Sequence, residues 1–180
     1  MSEEKTKIIS REAAAVNLAT FAIDRTDLKE LLSSVPEENT LNMTTIEYEL
    51  QILKIITVGW GISFYMPVSD RNREPLAQLF WENIRDVAQK ISTLTETTSG
   101  TSINYFEIIK GRLNTYLKVM EESSKDVTNP ASVMGPAFAV TCNHPNDAYV
   151  LLTGTKMFTL TLGAVKEYLN SVRIDDVVIN

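Results

Sequence analysis

One cysteine and one histidine among 180 residues leave little of the usual catalytic equipment. Cys142 alone cannot close an internal disulfide, and the residues after Met1 hold no apolar leader stretch. Together these point to a reducing, cytoplasmic setting. A zinc site would have to be built from Cys142, His144 and Asp147 with one further acid, at a spacing unlike that of known ligand sets. A di-iron bundle needs two Glu-x-x-His pairs; Thr141 stands three residues before the single histidine. Cys142 and His144 are also too close in sequence to face each other as nucleophile and base from separate elements. They read instead as a helix junction, with the thiol as a small buried apolar group.

The phosphate-binding loops are missing too. No Gly-x-Ser-x-Gly elbow and no P-loop occurs, and Gly59 and Gly61 are followed by Phe64 where a dinucleotide fingerprint needs its third glycine. No metal and no cofactor is expected. Positive charge is scarce: 17 Lys and Arg against 23 Asp and Glu give a net charge of −6, and residues 1–45, 46–125 and 126–180 are each net negative, with no basic block. Nucleic-acid binding draws on clustered cations that release counterions, so it is not expected. Arg71 and Arg73, flanked by Asp70 and Glu74, read as the solvated entrance of a helix. Long apolar runs are also few. Ile55–Ser69 is uncharged but short of the ~20 residues a span requires and stops at Pro67, and Ala148–Val165 is interrupted by Lys156 and four threonines. Membrane insertion is not expected.

What the chain does contain is helical periodicity with clear punctuation. Helices are predicted from about Ser10 to Ile23, Thr26 to Ser33, Thr44 to Pro67, Asn72 to Thr95, Ser102 to Ser123, Asn129 to Cys142 and Asp147 to Asn170. Thr44 and Glu47 have capping-box spacing. The third helix carries a stripe of Ile46, Leu50, Leu53, Ile56, Trp60 and Phe64; its Gly59 and Gly61 mark a kink or the close approach of a neighbour. Gly135-Pro136 predicts a kink, and Phe158–Leu162 alternates like a strand as well as fitting a helix. The end, from Arg173, reads as a tail or a short edge strand on Val177, Val178 and Ile179. The expected fold is all-α: a single domain of about six mostly antiparallel helices. It divides into a helical arm and linker over 1–43, the main bundle over 44–173 and a tail over 174–180. At this size about 70% of the surface is buried on folding, enough for one core.

Function is harder to read. Between Val127 and Val165 the only charged residues are Asp147 and Lys156, whereas elsewhere about one residue in four is charged. A helix exposed on one side needs a polar face. Helices in this stretch are therefore expected to be buried nearly all round, in the core or in a subunit interface, with Leu152, Thr155, Thr159 and Leu162 as the shared face. The leading expectation is a protein that acts by homo-oligomerising or by binding another protein. A second is a small-molecule binder holding an apolar ligand between helices near Trp60, Phe64 and Phe158. A third is a carboxylate-dependent enzyme, since acids are plentiful.

Overall fold

The computed structural model describes residues 7–35, 40–123 and 129–175. Helix accounts for 78% of them, more than twice the globular average of about a third. The seven helices are α1 (Arg11–Ile23), α2 (Thr26–Ser33), α3 (Met43–Tyr65), α4 (Arg73–Ser99), α5 (Tyr105–Ser123), α6 (Ala131–Thr141) and α7 (Ala148–Ser171). They form one all-α bundle. Two short strands, β1 (Lys7–Ser10) and β2 (Val172–Asp175), pair in parallel. They join the start of α1 to the end of α7. Asn72 clasps the same corner: it accepts from the Arg11 guanidinium at 2.9 Å and donates to the Ile174 carbonyl at 3.2 Å.

Helix limits follow from local capping chemistry. Ser10, Asn42 and Asp147 each accept a backbone N–H of the first turn. The α3 cap is thus Asn42, not the expected Thr44; Glu47 pairs with Arg25 instead of reaching back to the cap. α4 runs to Ser99, past the expected stop near Thr95, with the hydroxyls of Thr95, Thr97, Thr98 and Ser99 donating to carbonyls of the preceding turn. Gly100 then ends it at φ 69°. α6 stays one helix through Pro136. Its end has the His144 N–H on the Ala139 carbonyl with Asn143 at φ 61°, a Schellman-type stop. Phe158–Leu162 is helical. Val172–Asp175 is the C-terminal strand, and Val177–Ile179 lies outside the described residues.

The core is organised around α3, which packs against each of the other six helices. It buries thirteen of its 23 residues, including Ile52, Ile55, Val58 and Ile62, which lie off the expected stripe. So the helix buried nearly all round is α3, whereas α7 buries eight of 24. The two glycines of α3 are points of close approach. A Cβ on Gly59 would sit 2.5 Å from the Trp81 ring, and one on Gly61 would sit 3.0 Å from Val165. Consecutive long helices pack antiparallel, as expected of short connections.

Candidate functional site

α6 and α7 form a hairpin with very close backbones. A Cβ on Gly135 would lie 2.0 Å from the Thr155 hydroxyl, and one on Gly154 would lie 2.5 Å from the Phe138 ring. The inner sides of the hairpin are buried: Met134, Phe138 and Ala139 on α6, Val150, Met157, Phe158, Thr161 and Val165 on α7. The outer side is exposed and nearly uncharged. Val140 is 62% exposed, Leu160 60%, Leu152 53% and Tyr149 50%. Pro136 and Thr159 are exposed as well; Lys156 is the one charge on the helices of this face as far as Val165, and Lys166 and Glu167 follow on the last turns of α7.

The predicted interface residues divide accordingly. Leu152 and Thr159 lie on the outer face. Thr155 is half-buried against Gly135 and donates its hydroxyl to the Leu151 carbonyl. Leu162 is in the core. Sequence reasoning missed Tyr149 and Leu160; treating the whole segment as buried hid them. By length and composition α7 is also apolar enough to cross a membrane, but its buried side is packed on α3 and α6.

Trp60, Phe64 and Phe158 do meet. The Trp60 ring lies 5.4 Å from Phe64 and 5.5 Å from Phe158. Phe158 is core, Trp60 half-buried and Phe64 exposed. The void beside them, walled by Ile56, Tyr116 and Met134, is only about 10 Å³, the size of one water at most. This is packing rather than a pocket.

A larger cavity of about 380 Å³ lies between α3, α4 and α5. Its walls are Ile52 and Ile55 of α3, Ile84, Ala88 and Ile91 of α4, and Ile109 of α5. Ile23, Arg25, Glu47 and the rings of Tyr48 and Tyr105, 6.2 Å apart, complete it. Gln51 forms part of the wall and donates its amide to the Ala22 carbonyl at 2.6 Å, which anchors the end of α1 to α3.

The titratable groups of the interior are structural. Glu49, the buried carboxylate among the described residues, is held by both arms of Arg112 at 2.9 and 2.7 Å. Lys54 is fully buried, with its ammonium 2.8 Å from both the Asp27 carboxylate and the Asp24 carbonyl and 4.4 Å from the Phe21 ring centre. Burial pushes the Cys142 thiol up to about 12, aided by the Glu49 charge and opposed by Arg112. Burial also raises the Tyr116 phenol. Among the described residues its hydroxyl has no hydrogen-bond partner; the nearby Thr141 hydroxyl donates to the Ala137 carbonyl. Arg73, expected to be solvated, donates twice to the Ser63 carbonyl at 3.1 and 2.8 Å and so closes the end of α3. Among the described residues no three His, Cys, Asp or Glu side chains converge to hold a metal.

No family model, curated protein or solved structure matches this chain.

Proposed function

We propose that this protein works as a homo-oligomer, joined through the outer face of the α6–α7 hairpin. The observation that supports this is the exposed apolar row of Tyr149, Leu152 and Leu160 on α7, in a hairpin whose helices carry one charge, Lys156, as far as Val165. Scattered apolar residues on a surface need no partner. Three large apolar residues on one side of a helix, with Lys156 the one charge between them, have the composition of an interface. A two-fold pairing would cover the patch on both copies at once, because such a contact is self-complementary. α3 gives the hairpin a rigid backing, through Val165 on Gly61 and Phe158 on Trp60.

Inserting a charge tests the reading. Leu160→Lys and Thr159→Lys each place two like charges across the pairing axis, and analytical ultracentrifugation should show the oligomer shifting to monomer. Lys90→Glu, on an exposed face of α4, should leave the distribution unchanged. Wild-type sedimentation unaltered by either lysine would exclude this face as the interface.

A further inference from the structure

The cavity between α3, α4 and α5 is remote in composition from the hairpin face, and its walls suit a different kind of partner. Its volume of about 380 Å³ falls within the ~300–1,000 Å³ of small-molecule sites and is far too small for a helix. The side chains deep in it are aliphatic: Ile52, Ile55, Ile84, Ala88 and Ile109 are all buried. Ile91, 46% exposed, forms an apolar lip. The charged groups that reach the cavity are Arg25 and Glu47, and they are paired with each other, so the mouth offers no net charge to a ligand. Tyr48 and Tyr105 bring phenols to the same wall. The Tyr48 phenol, protonated at neutral pH like any tyrosine, is held above its ordinary value by burial and by the neighbouring Glu49 charge.

We infer that this cavity is a binding site for a neutral, mainly aliphatic or aromatic small molecule carrying one hydroxyl, carbonyl or amide group. The apolar body would lie against the isoleucines and the polar group beside the two tyrosines. A free carboxylate or ammonium on the ligand would have to leave water without gaining an unpaired counter-charge, so charged analogues should bind worse.

Two dyes with one ring system separate these cases. N-phenyl-1-naphthylamine is neutral; 1-anilinonaphthalene-8-sulfonate adds a negative charge. Fluorescence titration of the full chain should show saturable binding of the neutral dye at one per chain, at least tenfold tighter than the sulfonate. Val87→Trp, which fills the cavity from its α4 wall, and Ile91→Arg, which charges the exposed lip, should each weaken the neutral dye at least tenfold. Ile91→Arg alters a residue already half in solvent and keeps the test sound if the tryptophan perturbs folding. Leu160→Lys, on the hairpin face, should leave dye binding unchanged whatever it does to association. Absence of saturable binding, equal affinity for the two dyes, or binding indifferent to both cavity variants would overturn the assignment.

Discussion

At the residue scale the least expected feature is a lysine with no exposure at all. Lys54 sits in the most buried helix and is tolerated because Asp27 and the Asp24 carbonyl receive its protons while the Phe21 ring faces its charge. Asp27→Ala would strand that charge. Losing one partner of a buried pair costs about 3–5 kcal/mol, and the 35% exposure of the Asp27 side chain puts this case near 3. Urea denaturation should show that loss, and Lys54→Met in the same chain should restore most of it by replacing the pair with packing. Cys142 and Tyr116 make a second prediction. Both have folded-state values above their ordinary 9.0 and 10.0, so the folded protein holds protons that the unfolded chain gives up. Their contribution to stability is complete below about pH 9 and declines as pH rises towards 12. Urea midpoints at pH 8, 10 and 11 should fall, and Cys142→Ala should flatten part of the slope. A midpoint constant to pH 11 would mean that neither group is shielded from solvent.

Between elements, the closest contacts are made where glycine stands on a helix face. In Gly154→Ala the gain of about 1 kcal/mol in helix propensity is opposed by a methyl 2.5 Å from the Phe138 ring. Overpacking of that kind costs about 1–3 kcal/mol, so thermal unfolding should show a net loss. Gly111→Ala on α5 meets nothing within 4 Å and should stabilise by up to about 1 kcal/mol. Much of the element order was legible because periodicity and caps are local: α2 spans Thr26–Ser33 as expected, and Ser10 and Asp147 begin their helices. The misjudged positions depend on distant partners. Glu47 could have completed a capping box but lies within reach of Arg25 from another element. Arg73 looks like a surface cation until the end of α3 is placed beside it. Strand β1 has no periodic signature in four residues and exists because α7 delivers Val172–Asp175 next to it.

On the scale of the whole molecule, a shortage of charge turned out to mean two different things. In Ile55–Ser69 it marks the central helix, in contact with all six others. In the α6–α7 segment it marks a hairpin that is buried on one side and, as far as Val165, carries only Lys156 on the other. Sequence alone weighs these segments alike, because burial all round and burial on one side differ in which neighbours arrive, not in composition. The same limit hid the candidate cavity: its isoleucines read as ordinary core positions on α3, α4 and α5, and only their relative placement leaves space between them. The hairpin face is the feature that the bundle leaves unresolved as a monomer, and a solution mass decides it. Light scattering of the wild-type chain at tens of micromolar should give at least twice the 20.2 kDa of one chain. A single species of 20.2 kDa across that range would contradict the proposed assembly.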